Sequence, residues 1–284
     1  MNRLPRHKRR QILHLLVEGS SMRSTSRIVG CSINTVVKLL LDVGEVAAAF
    51  HDQFVRNLRV QRVECDEIWA FCYAKDKTLP RITGHPEWAG SIWTWTGVDP
   101  DSKLFISWYV GTRELVHAKA FMDDLGGRLS GRVQLTSDGW TNYVTSVERT
   151  FGSEVDYAQV VKNYDDEDRS FLEKRVVQGQ PDLSLISTSI VERLNLTMRM
   201  SMRRYARRTN AHSKKMQNHC AQLALYVLYY NFCRPHLSLA IPYPRTPAMA
   251  VGLTDRMYDL DWILDMLDAV TPPSHRPKKY RKRG

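Results

Sequence analysis

Three acidic residues, far apart in the sequence, have the chemistry of a metal-ligating set. Asp66 lies in a run of strand-forming residues, Asp138 directly follows another such run, and Glu192 lies in a segment with helical periodicity. Carboxylates that converge repel each other and resist joint ionisation, so their convergence requires a cation between them. Carboxylate oxygens suit Mg²⁺, for which Mn²⁺ can substitute. Two such ions can activate a water or hydroxyl on one side of a phosphodiester and stabilise the leaving oxygen on the other.

The order of predicted elements explains how these acids could meet. Alternating and β-branched patterns predict strands, helical periodicity predicts the helices between and after them, and residues 163–187 are polar and poorly patterned. The strands are predicted at 60–71, 91–98, 104–110, 132–136 and 154–161, and the helices at 115–129, 142–150, 189–205 and 212–232. This order predicts a ribonuclease-H-like α/β fold, a mixed five-stranded sheet with flanking helices. In that fold the first and fourth strands are neighbours, which brings Asp66 beside Asp138, and the late helix carries Glu192 to the same edge.

The predicted helix that carries Glu192 also carries groups suited to DNA phosphate. Glu192, Asn195 and Arg199 are spaced i, i+3 and i+7, so they share one face of the helix. Arg203 and Arg204 continue a basic track beyond it. Arginine guanidinium groups pair well with phosphate, and we expect Asn195 and these three arginines to contact DNA.

Each acid has a simpler interpretation when it is taken alone. Glu67 could be the functional acid in place of Asp66, which could be an ordinary strand-end charge. Asp138 and Gly139 could form only a turn, and Glu192 could be a solvated helix residue. The functional interpretation therefore depends on the three acids taken together, with their order, their positions on strands and helix, and their basic surroundings.

The first 45 residues predict a helix-turn-helix. Residues 9–17, 21–29 and 33–41 have helical patterns, and Gly30 with the N-cap candidate Ser32 separates the last two. In this motif the start of the second helix of the pair meets base edges, while basic side chains meet phosphates. A small helical bundle without a DNA role is the alternative. The residues expected to contact DNA are Arg23, Arg27, Ser32, Asn34, Thr35 and Lys38.

Composition agrees with a nucleic-acid partner. The 284 residues carry a net charge of +11 and the pI is near 9.5, so the chain attracts polyanions. The five cysteines are odd in number and form no close pair, which indicates a reducing compartment. No apolar run approaches the roughly 20 residues of a membrane span, and no secretory signal opens the chain. We therefore expect a cytoplasmic protein associated with the bacterial nucleoid.

The patterns divide the chain into four parts. Residues 1–45 form the predicted helix-turn-helix domain, and 46–58 a linker helix. Residues 59–235 form the predicted catalytic domain. The rest, 236–284, is a proline-containing extension that ends in a basic tail at 276–283.

The sequence resembles a known family, the insertion-sequence-one type transposases of the acidic-triad group. The resemblance lies in the segments around the three acids and in a closing segment, and it covers most of the chain. Those segments are DEIW at 66–69, TSDGWTNY at 136–143, VERLNLTMR at 191–199, YNFCRPH at 230–236 and TPAMA at 246–250. Family members often carry cysteine-rich zinc-binding elements near the N-terminus. Here only Cys31 lies in the first 60 residues, so end recognition would rest on the helix-turn-helix.

The resemblance implies a function. Such an enzyme binds the terminal inverted repeats of its own mobile element, hydrolyses the strand ends with Mg²⁺ and joins the freed 3′-hydroxyl to target DNA. No covalent protein–DNA intermediate forms, and two or more copies of the chain hold the paired ends. Two alternatives stay open: an inactive, domesticated transposase that regulates by binding DNA, and a ribonuclease-H-like nuclease without strand joining.

Overall fold

The structure is a computed structural model that describes residues 4–164 and 170–271. Helices precede, interrupt and follow a single sheet. The strands are β1 Arg62–Cys72, β2 Gly90–Val98, β3 Phe105–Gly111, β4 Val133–Asp138, β5 Val155–Tyr164 and β6 Ser170–Gln178. The helices are α1 Arg6–Val17, α2 Met22–Val29, α3 Ile33–Phe54, α4 Leu115–Gly126, α5 Thr141–Phe151, α6 Ser189–Ser201, α7 Met216–Phe232, α8 Pro247–Ala250 and α9 Leu260–Val270.

The sheet has the strand order β3-β2-β1-β4-β5-β6. Strands β1, β2 and β3 are antiparallel neighbours, whereas β4 runs parallel to β1 and β5 runs parallel to β4. The prediction that the first and fourth strands are neighbours is therefore confirmed. This mixed sheet with flanking helices is consistent with a ribonuclease-H-like fold.

The predicted strand count of five is wrong, because the sheet has a sixth strand. β6 lies within residues 163–187, which the sequence pattern marked as polar and irregular, and it pairs antiparallel with β5. Its outermost position explains the miss: Phe171, Leu172 and Val176 are all exposed. Of its apolar residues only Val177 packs against the main core, so little of the strand is constrained to alternate apolar and polar residues.

The N-terminal helices have the predicted caps. Gly30 adopts the left-handed conformation at the end of α2, and the Ser32 hydroxyl accepts a hydrogen bond from the Asn34 N–H at the start of α3. α3 then continues without interruption through residue 45, so one helix spans the predicted domain boundary and most of the linker. It packs closely on α7, where a Cβ added at Gly44 would lie 2.5 Å from Ala221 Cα. Among the described residues, no helix combines the length and apolarity needed to cross a membrane.

The C-terminal extension folds back onto the first helix. Arg6 Nε lies 2.9 Å from Asp261 Oδ1, and Arg9 Nη1 lies 2.6 Å from Asp268 Oδ1, so ion pairs join α1 to α9. Arg9 is largely buried, which protects its pair from solvent screening. The first and last described helices therefore pack together. The predicted basic tail at 276–283 lies outside the described residues.

Strand β1 separates two apolar cores. Val63 and Cys65 belong to the core that includes α4 and α5, whereas Ile68 and Ala70 belong to the core that includes α6 and α7. Because successive side chains of a strand point to opposite faces, Asp66 is directed toward α6, and Glu67 is directed toward α5.

Candidate active site

The structure brings Asp66 and Asp138 together at the edge of the sheet where β4 ends. The parallel register pairs Glu64 with Thr136, so Asp138, two residues further along, comes level with Asp66. One carboxylate oxygen each of Asp66, Glu67 and Asp138 lie within 4.8 Å of one another. Oxygen atoms at this spacing can share one divalent cation.

Asp66 is half-buried and has no ion pair among the described residues. Asn195 Nδ2 of α6 donates a hydrogen bond of 2.8 Å to Asp66 Oδ2. Burial raises the Asp66 pKa to about 6, although the hydrogen bonds from Asn195 and from the Glu67 N–H oppose the rise. The negative charges of Asp138 and Glu192 add to it. The ionised form of Asp66 is therefore costly until a cation binds.

Asp138 is held by the turn that leads from β4 into α5. The Trp140 N–H donates to Asp138 Oδ1 at 3.1 Å. The Gln159 side-chain amide donates to the carbonyl oxygens of Asp138 and Trp140, which fixes the turn. Burial raises the Asp138 pKa, and the charge of Glu192 raises it further, while nearby Arg113 opposes both effects.

Glu67 already has a cation beside it. Arg113 Nε lies 2.5 Å from Glu67 Oε1, and the two side chains form an ion pair without a well-aligned hydrogen bond to Oε1. The Tyr143 hydroxyl donates a hydrogen bond to the other oxygen, Glu67 Oε2, at 2.9 Å. Burial raises the Glu67 pKa to about 7. The Arg113 guanidinium carbon lies 5.0 Å from the ring centre of Trp93 and 5.3 Å from that of Trp140. One guanidinium nitrogen of Arg113 also lies 3.5 Å from Asp138 Oδ2. Glu67 is thus directed at Arg113, and Asp66 is the acid left for a metal ion.

The third predicted acid, Glu192, is not part of the 4.8 Å group. It lies in the first turn of α6, where the Thr188 hydroxyl donates to its Oε1 at 2.9 Å. Glu192 is exposed, and its charge raises the pKa of both Asp66 and Asp138. The structure therefore joins two of the predicted acids and places the third within electrostatic reach of them.

Sequence reasoning missed Glu64, which fixes the start of α6. Glu64 Oε2 accepts hydrogen bonds from the Ile190 and Val191 N–H groups at 2.8 and 2.9 Å. These N–H groups would otherwise lack a partner at a buried helix start. Burial raises the Glu64 pKa. The sequence did contain a sign of this role, because Glu64 lies two residues before Asp66 and therefore on the same face of the strand. Arg113, also missed, lies in the loop before α4 and gave no such signal.

The basic track has a different course from the predicted one. Asn195 contacts Asp66, and Arg199 follows one turn later on α6, where its Nε is buried without a hydrogen-bond partner in the described part of the chain. Arg203 is exposed. The Arg204 guanidinium instead points into the protein, where it donates to Ser213 Oγ and to the Asn218 carbonyl at 2.8 and 2.7 Å. Burial lowers the Arg204 pKa to about 10, so this residue ties two segments together rather than facing solvent.

The predicted helix-turn-helix residues lie on an accessible surface. All six lie on α2, on α3 or at the start of α3. Arg23, Arg27, Ser32, Asn34 and Lys38 are exposed, and Thr35 is half-buried. Lys38 pairs with Asp42 at 2.8 Å, one turn further along α3. A pair this exposed is weak, so it leaves Lys38 available to a phosphate.

No family model and no curated protein matches the chain. Among solved structures, the chain is similar to one described as the crystal structure of a pre-cleavage Mos1 transpososome, with a TM-score of 0.21 and 11% sequence identity. The match covers 55% of this chain and 60% of the other, so less than two thirds of that chain is spanned.

Proposed function

We propose that this protein is a metal-dependent DNA transposase that cuts DNA strands and joins a 3′-hydroxyl to target DNA. The observation that carries the proposal is the meeting of Asp66 and Asp138 at the end of β4, with Glu192 close enough to act on both. Asp66 and Asp138 are partly shielded from water, and Asp66 has no ion pair among the described residues, so joint ionisation of the two is unfavourable; such clusters often mark sites of function. Their position at one end of a basic helix face favours a phosphodiester as the substrate.

The donor set fits Mg²⁺ or Mn²⁺. Asp66, Asp138 and Glu192 offer carboxylate oxygens, which are the ligands that these ions prefer. The bound ions would supply an activated water or hydroxyl and stabilisation of the leaving oxygen. The remaining groups are positioning groups: Asn195 orients the Asp66 carboxylate, and Glu64 fixes the helix that carries Glu192 and Asn195.

Recognition of DNA ends is proposed for the N-terminal helices. The exposed start of α3 carries Ser32 and Asn34, and Arg23 and Arg27 flank it on α2. A helix start presented in this way can enter the major groove while arginines meet the backbone. The proposed partners are double-stranded DNA carrying terminal inverted repeats, target DNA and at least one further copy of this chain.

The test is a strand-cutting and strand-joining assay. The substrates are labelled duplexes from the DNA that flanks the gene, both intact and pre-cut, incubated with Mg²⁺. We expect wild-type protein to cut the first and join the second. Asp66→Asn, Asp138→Asn and Glu192→Gln should abolish both reactions and leave binding near the wild-type level. The control is Glu148→Gln, which changes an exposed carboxylate on α5 and should have no effect.

The outcomes separate the alternatives. Cutting without joining would assign a nuclease, and binding without either reaction would assign a DNA-binding regulator. If one of the three acid variants kept full cutting activity, that acid would not be a metal ligand. If only Glu67→Gln abolished cutting, the ligand assignment would move from Asp66 to its neighbour.

A further inference from the structure

A concave site, separate from the acids, lies beyond the C-terminal end of β1. It is a cavity of about 690 Å³, lined by Phe71, Tyr73, Lys75, Arg208, His212 and Lys214 among others. Tyr73 N–H donates to the Ser213 carbonyl at 2.7 Å, and Cys72 forms a bridge with Ser213, so the end of β1 and the segment before α7 form its walls. We call this cavity the distal groove. None of the proposed metal ligands lines it.

The walls combine aromatic rings with positive charge. Phe71 and His212 stack with ring centres 4.5 Å apart, and Lys75 Nζ lies 5.4 Å from the Phe71 ring centre. Lys75, Arg208 and Lys214 give three cations, and no acid is among the lining residues. Rings interleaved with cations are the composition of surfaces that bind unpaired nucleic acid, because bases stack on rings while phosphates meet the charges.

Tyr73 is held in a conformation that is unfavourable for it. Its φ is +69°, in the left-handed region, where a side chain larger than that of glycine is strained. The surrounding segment holds it there, since its carbonyl accepts hydrogen bonds from His212 Nε2 and Lys214 Nζ, both at 3.1 Å. A strained, half-buried aromatic residue at the edge of a basic cavity is a feature that function explains better than stability does.

A basic path joins the distal groove to the acids. Arg199 lies on α6 one turn beyond Asn195, which donates a hydrogen bond to Asp66, and Arg207 is exposed in the segment that follows α6. Arg208 follows on the groove wall. The five residue-to-residue steps from Asp66 to Phe71 span about 17 Å of extended strand.

We propose that the distal groove binds an unpaired segment of a DNA strand, about 17 Å from the phosphodiester held at Asp66 and Asp138. Only an unpaired base can offer its face to Tyr73 and His212. The groove therefore favours a single strand over a duplex, whose bases are stacked on one another. The link to the acids rests on the proposed function, but strand binding in the groove does not.

The test measures binding without metal. A labelled thymidine oligonucleotide of about 20 residues and a duplex of equal length are titrated with full-length protein at several salt concentrations. Tyr73→Gly removes the ring and suits the positive φ, and it should weaken single-strand binding by about 5- to 150-fold. Arg208→Ala should lower the slope of log affinity against log salt by about 0.7. Both variants should leave duplex binding near the wild-type level, and Arg256→Ala, at an exposed position in the C-terminal extension, should change neither.

Three results would overturn the proposal. One is single-strand binding that neither variant changes. Another is an equal loss of duplex binding in Arg208→Ala, which would assign the groove to the duplex backbone. The third is displacement of the oligonucleotide by thymidine monophosphate at the same nucleotide concentration, which would make the groove a mononucleotide site. Because the assay scores no cutting, a groove that binds in a protein that never cuts would contradict only the transposase proposal.

Discussion

Replacement of Asp66 by asparagine should stabilise the protein without metal, and by an amount that depends on pH. Burial is the main cause that raises the Asp66 pKa, from 3.8 to about 6 in the folded protein. The folded state then binds the proton more tightly than the unfolded state. The stability linked to this proton is fully present below pH 3.8 and is lost as the pH rises through 6.

The magnitude follows from the two pKa values. A difference of about two pH units corresponds to about 3 kcal/mol above pH 7, and to about 0.5 kcal/mol at pH 4. The asparagine side chain keeps an oxygen for the Asn195 amide but carries no charge. The Asp66→Asn variant should therefore gain about 3 kcal/mol in the free energy of unfolding at pH 8, and little at pH 4.

Urea unfolding at pH 4 and pH 8 without metal measures this gain. The control is Asp255→Asn, which makes the same change at a side chain that is 84% exposed and should alter stability by less than about 0.5 kcal/mol. Added Mg²⁺ should stabilise the wild type at pH 8 and the Asp66→Asn variant much less, because the ion binds only the folded site. A variant that is no more stable than wild type at pH 8, or that gains equally at pH 4, would refute the reasoning.

Three further predictions concern how the site is supported. Gly44→Ala forces α3 away from α7, because the added Cβ would lie 2.5 Å from Ala221 Cα. We expect the free energy of unfolding in urea to fall by about 1–3 kcal/mol, and an unchanged free energy would contradict the close packing. Glu64→Ala leaves the Ile190 and Val191 N–H groups at the start of α6 without an acceptor. It should lower the free energy of unfolding by about 1–3 kcal/mol and also lower the rate of strand cutting. Full cutting activity would show that Glu64 does not position Glu192. Burial and then the charge of Arg128 lower the His51 pKa to about 3, so its contribution to stability is present above pH 6.5 and falls as the pH drops toward 3. His51→Gln should therefore make the stability difference between pH 7 and pH 5 smaller by about 2 kcal/mol, and an identical difference would contradict a neutral His51.

The sequence was informative where a residue's role follows from local periodicity. The strand that carries Asp66 and the strand that ends at Asp138 could be placed, because buried strands and the turn after Asp138 leave clear patterns. The order of elements then predicted that these two strands are neighbours, and the structure has them paired. The N-cap at Ser32 was also predictable, since capping depends on residues adjacent in sequence.

The rest depends on tertiary contacts that no local pattern contains. Strand β6 pairs at the outer edge of the sheet with exposed apolar side chains, so it lacks the alternation that a core imposes. The inward direction of Arg204 depends on Ser213 and Asn218, which approach it only in the fold. The same holds for Arg113, whose partners Glu67, Trp93 and Asp138 come from three different strands.

Direct observation of a metal ion at the acids tests the central claim. Crystals of the full chain grown with Mn²⁺ can be measured near the manganese absorption edge, where the ion gives an anomalous difference peak. We expect a peak between the Asp66 and Asp138 carboxylates, with oxygen ligands at about 2.0–2.6 Å and Glu192 turned toward it. A map with no peak there, in which Arg113 stays against Glu67 and Asp138, would contradict the claim that these acids form a metal centre.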